Sequence, residues 1–328
     1  MNVEALIFQQ IVDANFDQSI STASPNNTIN VVQIAAKGSG TNIGLALSPK
    51  GTGYISAQVP DGTSTGGNAR GARSVDLQTS RSAATQVASG TSSVCLGASN
   101  TASGSSSVAI GSSNNATGTA SIAVGQTNTS SNTGSFAAGS FCNAAANSSV
   151  AMGTSCSATA ESAVSLGNSN SAQGLGSMAI GIQSIAHIRT MLTHGAGAFA
   201  VQGDNQAIQI VYSGKTTTNA EVELLVNTVR GILRSGTVWH GVLQIVGSKS
   251  DGTAVASYMR QVTIKRVGNS TSLVGTVNTI GTDEAAGTSI SITADDTNEG
   301  LKVAVTGVTS ETWRWQAVFR GGEIVYGT

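Results

Sequence analysis

Three histidines are the first side chains in this 328-residue sequence that could do chemistry. His187 and His194 lie seven residues apart, so three copies of either, gathered on the axis of a trimer, could bind a metal ion. The simpler interpretation is a polar residue at a domain junction. His240 follows Trp239 on a predicted strand. The sequence by itself provides no Ser/His/Asp grouping and no Cys/His spacing of the kind that binds zinc, so we expect neither a metal nor a cofactor.

Carboxylates are the second set of candidates, because glycoside hydrolysis needs two of them across the scissile bond. The candidates are Asp295, Asp296, Glu299 and Glu311. The run from 295 to 300 is more simply a solvated turn, so we predict that the chain is not an enzyme. A polysaccharide depolymerase remains the alternative, and new reducing ends released from a bacterial surface polysaccharide would reveal it.

The three cysteines could either pack or form a disulfide. Cys142 and Cys156 are 14 residues apart and occupy the same position in two successive sequence repeats. Their Cα atoms could therefore lie about 5 Å apart, which is within disulfide range. The alternative is that both are small side chains in a ladder of turns. We expect Cys95 only to pack.

Side chains that could bind a sugar cluster near the C-terminus, because sugar binding needs flat apolar faces with polar neighbours. On the strand predicted at 312–319, Trp313 and Trp315 share one face with Ala317 and Phe319, and we predict that this face is core. Trp239 is likewise predicted to be buried. The opposite face of the 312–319 strand is polar. Our candidate receptor-binding residues are His240, Tyr258, Arg314, Gln316 and Tyr326.

Composition limits what the rest of the chain could bind. Charged residues make up 10%, aromatic residues 4%, and the net charge is -1, so no electrostatic attraction to nucleic acid or to a membrane surface is expected. Between Ser82 and Ile188 the only charged residue is Glu161. That span is therefore predicted to be a scaffold.

A repeat of 14 residues organises this scaffold. Each unit holds a large apolar residue, a small residue, a second large residue and a glycine, which predicts a short strand that ends at the glycine. A small residue follows five positions later and predicts a second short strand. Asparagine most often stands three positions after the glycine, where it suits a turn. Two strands and two turns per unit predict a parallel β-roll of seven coils, roughly 29 Å long. The seven glycines are Gly97, Gly111, Gly125, Gly139, Gly153, Gly167 and Gly181.

The repeat resembles the head repeat of YadA-like trimeric adhesins. Ser107-Val108-Ala109-Ile110-Gly111 and Ser149-Val150-Ala151-Met152-Gly153 carry the resemblance, which covers about residues 86 to 186. The units around 132–146 depart from the pattern, since Asn132 and Ala146 stand where the first units have glycine. The resemblance implies a left-handed parallel β-roll, assembled as a trimer, in a protein that attaches to cell surfaces.

The N-terminal third resembles the shaft segment of tailed-phage fibre proteins. The motifs are 42–45, 49–53, Gly67-Asn68-Ala69-Arg70-Gly71 and Gln86-Val87-Ala88-Ser89-Gly90, and they occur in this order. Upstream, residues 2–18 carry apolar residues at helical spacing, which predicts a short amphipathic helix. No signal peptide or apolar run of transmembrane length is visible. We therefore expect a protein made in the host cytoplasm and carried on a virion.

The segment after 188 has a different composition, with 11 basic and 11 acidic residues and all three tryptophans. Dense strand signals and short turns predict an antiparallel β-sandwich. We interpret Arg320-Gly321-Gly322 as a turn, and 219–234 could be partly helical. The predicted domains are an N-terminal attachment segment (1–27), a β-rich shaft (28–85), the YadA-like roll (86–187) and a receptor-binding tip (188–328).

These expectations combine into one prediction. The chain is an all-β, homotrimeric phage tail fibre that attaches to a host surface glycan, either capsular polysaccharide or lipopolysaccharide, through its tip. Its N-terminus would bind other tail or baseplate proteins, with no nucleic-acid partner and no membrane insertion. The alternatives are a virion-bound depolymerase and a fragment of a bacterial trimeric surface adhesin, which a genome neighbourhood without virion genes would favour.

Overall fold

The computed structural model describes residues 16–21, 31–36 and 46–326, in two compact units that divide after Thr52. In the first unit, β1 (Phe16–Ser21) pairs antiparallel with β2 (Val31–Ala36), with Phe16 opposite Ala36. Most of the predicted N-terminal helix, up to residue 15, lies outside the described residues, and its last three positions are strand. Most of the strand predicted at 42–47 also lies outside them.

The second unit begins with a parallel ladder, and its described residues 53–326 contain strands and no helix. The predicted 14-residue parallel β-roll is confirmed, and parallel pairing also extends beyond 86–187 in both directions. The strands of the long ladder are β3 (Ile55–Ser56), β4 (Val75–Ser80), β5 (Val94–Ala98), β7 (Val108–Ser112), β9 (Ile122–Gln126), β11 (Phe136–Ser140), β13 (Val150–Thr154), β15 (Val164–Asn168), β17 (Met178–Ile182) and β19 (Leu192–Ala196).

A second ladder of two-residue strands closes each coil, as the small position five residues after each glycine predicted. Its strands are β6 (Thr101–Ala102), β8 (Asn115–Ala116), β10 (Thr129–Ser130), β12 (Asn143–Ala144), β14 (Ser157–Ala158), β16 (Ser171–Ala172) and β18 (Ile185–Ala186). β19, the eighth strand at the 14-residue spacing, is not evident from the sequence. Gly195 follows Gly181 by 14 residues, but His194 stands in a column of otherwise apolar residues and hides the repeat.

The interior of the roll is filled by small side chains. Ala109 and Ala123, in the middle of their strands, are fully buried, whereas their large neighbours Val108 and Ile110 point outward and are half-buried. The glycine that ends each strand allows the coils to approach closely. Gly111 has φ of 114°, and a Cβ added to it would lie 2.1 Å from the carbonyl oxygen of Gly125.

A ladder of side-chain amides runs along one turn of the roll. The side-chain oxygen of Asn114 accepts a hydrogen bond from the backbone N–H of Asn128 (3.0 Å), and its Nδ2 donates to the carbonyls of Ile110 and Gly125 (2.8 Å each). Cys142 and Cys156 take the place of asparagine in two successive coils. They are buried free thiols in this ladder.

The start of the roll contains a buried charged group. Asp76 on β4 lies between Arg70 (2.7 Å) and Arg81 (3.0 Å), and the side chains of all three residues are inaccessible to solvent. Gln78 donates to Asp76 (3.0 Å) and accepts from the backbone N–H of Asn100. Gln78 is thus the first member of the amide ladder.

The C-terminal region adds antiparallel strands to the same sheet. Beyond β19, the order is β20, β28, β22, β23, β24, so β19 pairs parallel with β17 and antiparallel with β20. A separate three-stranded sheet has the order β21, β27, β26. The strands are β20 (Asn205–Thr216), β21 (Glu221–Glu223), β22 (Thr237–Lys249), β23 (Val255–Val267), β24 (Ser270–Leu273), β25 (Asn278–Thr279), β26 (Ser289–Asp295), β27 (Gly300–Thr306) and β28 (Trp313–Val325).

One apolar core lies between the long strands and the three-stranded sheet. It combines Trp239, Trp313 and Phe319 with Leu301 and Val303 from β27. The predicted burial of Trp239, Trp313 and Trp315 is confirmed, and so is the antiparallel pairing of this region.

Two sequence interpretations were wrong or incomplete here. Gly321 does not end a strand, since β28 runs unbroken through 320–322. A Cβ on Gly321 would lie 2.3 Å from the carbonyl oxygen of His240 on β22, so this glycine permits close approach of two strands. The segment 219–234 contains β21, turns and isolated bridges, and none of it is helical.

Candidate functional site

The four long strands β20, β22, β23 and β28 place every second side chain in the core and the others on the opposite side of the sheet. We call the outward side chains of these four strands the outer face. Strand register aligns them in rows, because residues that pair across strands point to the same side. One such row is Lys215, Arg314, Ser248 and Val255.

The outer face carries basic groups and no carboxylate. Its charged residues are Lys215, Lys265, Arg314 and Arg320. The four strands contain one acidic residue, Glu323, and its side chain points inward and is fully buried. At the margin of the outer face, Glu284 forms an isolated backbone β-bridge with Ser257 of β23. The face is therefore locally cationic although the whole chain has a net charge of -1.

A shallow groove of about 260 Å³ lies where the outer face meets the last strand of the roll. Arg320 Nε donates to Gln209 Oε1 (3.1 Å), which fixes the guanidinium above the sheet. The groove is small compared with sites that enclose a drug-sized ligand, roughly 300–1,000 Å³. Its lining residues are Leu192, His194, Ala207, Ile208, Gln209, Arg320 and Gly321.

Small residues separate two histidines beside this groove. Register aligns His194, Ala207, Gly322 and His240 in one row across four strands. A Cβ added to Gly322 would meet no atom within 4 Å, so the surface between the two imidazoles is open. His240 is anchored through Nδ1 to the Thr263 hydroxyl at 2.8 Å.

Three of the five predicted site residues share the outer face. His240, Arg314 and Gln316 are exposed on it. Tyr258 was expected to be exposed, but it points into the core and is only 6% accessible. It is on the inward row of β23, and its hydroxyl is 2.7 Å from that of Thr288. Tyr326 is 37% exposed beyond the end of β28 and donates to the carbonyl of Arg266 (2.8 Å). Binding by these residues stays a prediction.

Sequence reasoning considered His194 only as a possible metal ligand, and it did not select Arg320 or Gln209 as site residues. Alternation along β28 already placed Arg320 on the same side as Arg314, so that signal was available. Gln209 and His194 reach the same place only through the pairing of β19 with β20, which joins the end of the roll to the C-terminal region. That pairing could not be inferred from local pattern.

The four carboxylates considered for hydrolysis each have a partner. Asp295 accepts from the backbone N–H of Asn298 (2.9 Å), and this hydrogen bond holds its pKa below the usual range. Glu311 accepts from the indole of Trp313 (2.9 Å), which lowers its pKa. Asp296 accepts from the backbone of Thr271, and Glu299 pairs with Arg266. Asp295 and Glu311 are thereby favoured as anions rather than as proton donors.

A buried polar network joins the roll to the C-terminal sheets. Glu323 accepts from the indole of Trp239 (2.7 Å) and from Gln206 (3.3 Å), and it forms an ion pair with Arg234. Gln206 also bonds both the N–H (2.8 Å) and the carbonyl (2.9 Å) of Ile185, so it extends the ladder of short strands.

His187 lies at this junction. Its Nε2 is 3.1 Å from the carbonyl of Ile232. Most of its surface is covered, and Nδ1 is shielded and has no hydrogen-bond partner among the described residues. Burial holds the pKa of His187 below its ordinary value. The interpretation of His187 as a junction residue fits these contacts.

No described residue belongs to a helix with the length and apolar character needed to cross a membrane.

Comparison with solved structures finds phage tailspikes. One of them is gp49, a tailspike protein from the Acinetobacter baumannii bacteriophage Fri1 that is described as a capsular polysaccharide depolymerase. The aligned residues are 8% identical and cover 76% of this chain and 44% of gp49, with a TM-score of 0.24. The tailspike of Acinetobacter phage vB_ApiP_P1 is 12% identical, with 71% and 51% covered and a TM-score of 0.24. The tailspike of Acinetobacter baumannii phage AM24 is 7% identical, with 81% and 53% covered and a TM-score of 0.20. The chain thus spans about half the length of these tailspikes.

The prediction that the chain is not an enzyme is contradicted by the first of these similarities, because gp49 is described as a depolymerase. We withdraw that prediction.

No curated protein matches the chain. The model of the YadA head domain repeat (2 copies) matches residues 88–114, 116–141 and 158–184. These matches fall on coils of the parallel ladder, with residues 142–157 unmatched between them, so the resemblance to YadA head repeats first drawn from the sequence is confirmed for this part of the chain.

Proposed function

We propose that this chain is a fibre protein of a phage virion that attaches to a glycan on the host surface through residues 188–328. The observation that carries the proposal is the outer face, where exposed polar and basic side chains of four strands are held in fixed rows by a separate core. Binding sites are commonly displayed on such rigid scaffolds. The roll offers instead the same few small side chains in every coil.

The roll supports assembly rather than recognition in this proposal. Its outward columns are mostly large aliphatic residues, and several of them are exposed in the single chain, such as Leu77 at 47% and Met152 at 41%. A continuous apolar surface of this kind is normally covered by a partner. Three copies around one axis would cover it, in keeping with the trimer that the YadA resemblance implies.

The proposal keeps the domain division predicted from the sequence. Residues 1–27 attach to a tail or baseplate protein, 28–85 form the shaft, 86–187 space the tip from the virion, and 188–328 bind. Each binding site is shallow, so affinity for a cell depends on having three tips per fibre and several fibres per virion. Linked sites raise the effective affinity by mass action, without new contacts.

The test is competition for adsorption with the full-length protein. Cells of the host are preincubated with the parent protein or with the His240→Ala/Arg314→Ala/Gln316→Ala variant, and free virions are counted over time. The parent should block adsorption and the variant should block it much less. Thr117→Ala, an exposed residue between two strands of the roll, is the matched control and should block as well as the parent.

A second readout separates attachment from cleavage. Periodate-treated cells, whose glycans are oxidised, should no longer bind the protein; unchanged binding would show that a glycan is not the receptor. Isolated host polysaccharide is incubated in parallel and assayed for new reducing ends. Their appearance would show a depolymerase, as gp49 is described to be, and their absence would leave attachment as the activity.

A further inference from the structure

We infer that the glycan bound by the outer face is an acidic polysaccharide whose carboxylates contact Arg314, Arg320 and Lys215. This inference rests on the proposed attachment function and adds the chemical class of the ligand.

Charge in the C-terminal region is segregated by sheet although its total is balanced. The outer face holds Lys215, Lys265, Arg314 and Arg320 and no carboxylate. The three-stranded sheet carries acidic groups that already have cationic partners: Glu221 pairs with Lys302 of the same sheet (3.0 Å), and Glu223 pairs with Arg230 from the segment that follows β21 (2.9 Å). No ion pair is found for the four outer-face cations among residues 46–326. These cations therefore remain available to an anion that approaches from solution.

The spacing of the cations favours a polymer over a compact anion. Arg314 and Arg320 are six residues apart on one strand, which places their Cα atoms roughly 20 Å apart. A phosphate or a lipid headgroup is bound by several donors that converge on one point. Separated guanidinium groups on a flat sheet instead match a chain that presents one negative charge every few sugar units. Between them lie Gln316 and the half-buried Val318, a polar and an apolar contact for the intervening rings.

The groove at the edge of the outer face is suited to one acidic sugar of that chain. Arg320 uses Nε to bond Gln209, which leaves the N–H groups at the end of its guanidinium for a carboxylate. Ala207 and Gly322 have little or no side chain, so the surface beside the groove is free of protruding groups. His194 and His240 lie at the two ends of the row that contains them. A ring lying on Ala207 and Gly322 would have a basic group on one side and an imidazole at each end.

The polarity of the sheet also shows which part of it stays in solvent. The two outward columns of the roll are apolar as far as Met178 and Ile180 on β17. On β19 the first column is still apolar at Leu192, whereas the second becomes polar at His194. Past β19 the columns continue as Gln209 and Arg320 in one row and as Ala207 and Gly322 in the other. Covering the arginines without a counter-charge would be costly. An interface between copies would therefore end near β19, and the outer face would remain accessible.

The experiment measures binding of full-length protein to acidic polymers and to neutral forms of the same polymers. The probes are polygalacturonate with its fully methyl-esterified form, alginate with its carboxyl-reduced form, polysialic acid with its methyl ester, and dextran. At least one acidic polymer should bind, and its neutral form should bind at least about tenfold more weakly for each guanidinium–carboxylate pair that it cannot form. Binding should weaken as the salt concentration rises from about 50 to about 500 mM, because salt screens exposed charges.

Charge variants locate the effect on the sheet. Arg314→Gln/Arg320→Gln should lose most of the binding to the acidic polymer and most of its salt dependence. Arg230→Gln/Lys302→Gln removes the same net charge from the opposite side of the region and should bind like the parent. Gly322→Val, whose added side chain meets open space and whose backbone is not strained, should weaken binding with no change of charge.

The outcomes separate this inference from the proposed function. If the Arg314→Gln/Arg320→Gln variant still blocks phage adsorption, or if neutral and acidic polymers bind equally or none binds, the acidic ligand is wrong while glycan attachment stands. If binding to cells survives periodate, attachment to a glycan itself is wrong. Competition by phosphatidylglycerol vesicles as strong as that by the acidic polymer would overturn the assignment to a polysaccharide.

Discussion

The roll and the C-terminal region lie in one continuous sheet, but the roll buries small side chains and the C-terminal region buries large ones. In the roll, alanine fills the interior and the large aliphatic side chains point outward. In the C-terminal region, tryptophan and phenylalanine fill the interior and polar or basic side chains point outward. The change occurs at β19, whose two edges pair with strands of the two regions.

This difference indicates that the two regions obtain stability from different sources. An alanine methyl group buries little apolar area, so one chain of the roll obtains little stabilisation from the hydrophobic effect. Its coils are held by backbone ladders and by amide ladders such as Asn100–Asn114–Asn128. The outward aliphatic residues contribute only when another copy covers them. The C-terminal region has a core of its own and needs no partner to bury its tryptophans.

Deletions within the roll should give the largest effects and would test whether the coil is its unit. Removing residues 112–125, which is one full coil, keeps every strand, glycine and turn in register and should yield a folded, shorter protein. Removing residues 112–118 inverts the two halves of the coil and puts strand faces out of step, so the protein should aggregate. Electron microscopy and circular dichroism measure both. Equal tolerance of the two deletions would contradict the 14-residue roll.

Placing a charge on an outward column should abolish assembly. Ile122→Asp puts a carboxylate on the apolar surface that a trimer would bury, at a cost that an interface cannot easily offset. Thr119→Asp adds the same charge to an exposed turn and should leave assembly unchanged. Light scattering at micromolar concentration distinguishes the two, with the parent expected as a trimer. A parent that is a stable monomer would refute the predicted assembly.

The C-terminal region should respond most strongly to loss of the buried charge at the junction. Glu323→Ala removes the acceptor of the Trp239 indole and leaves Arg234 without its counter-charge. Breaking a buried ion pair typically costs about 3–5 kcal/mol. Glu221→Ala, which breaks the exposed pair with Lys302, should cost about 1 kcal/mol or less. Urea unfolding followed by tryptophan fluorescence compares them, and equal losses would argue against a structural role for Glu323.

The repeat part of the fold could be predicted because its signal is strictly periodic. Fixed glycines and small positions indicate the coil length and both ladders, and alternation indicates the buried face of β28. The eighth coil escapes because His194 breaks the apolar column, although Gly195 keeps the period. The interpretation of Gly321 as a turn was wrong, since a glycine needed for close strand approach looks the same in sequence as a turn glycine.

The candidate site could be predicted only in part, because it depends on pairing between distant strands. Alternation within β28 places Arg314 and Gln316 together on the exposed side. The position of Tyr258 depends on which face of β23 is buried, and its alternating pattern alone does not decide this. The groove requires β19, β20 and β28 to lie side by side, with Leu192 opposite Gln209 and Gln209 opposite Arg320. No local pattern encodes that order.

Removing one amide should weaken the roll by a smaller amount. Asn114→Ala leaves a backbone N–H and two carbonyls without their partners, and unsatisfied buried groups cost about 1–3 kcal/mol. Asn115→Ala changes the neighbouring, half-buried residue of β8, whose side chain points away from the ladder, and should cost less. Hydrogen exchange at the amide of Asn128 measures the difference. Equal protection of that amide in both variants would show that the ladder does not stabilise the coils.

The smallest expected effect is a pH dependence at the junction, where the two regions meet. Burial lowers the pKa of His187 in the folded protein, whereas in the unfolded chain the imidazole has the ordinary histidine pKa of about 6.5. The unfolded state therefore binds the proton first as the pH falls, so stability from this group is complete above a pH of about 6.5 and decreases below it, by at most about 1.4 kcal/mol per pH unit. His187→Gln can still donate to the carbonyl of Ile232 but cannot titrate. Its urea midpoint should match the parent at about pH 8 and fall less steeply between about pH 7 and pH 5. Parallel curves for the two proteins would show that His187 is not shielded at the junction, and that the two regions meet less tightly than their shared network implies.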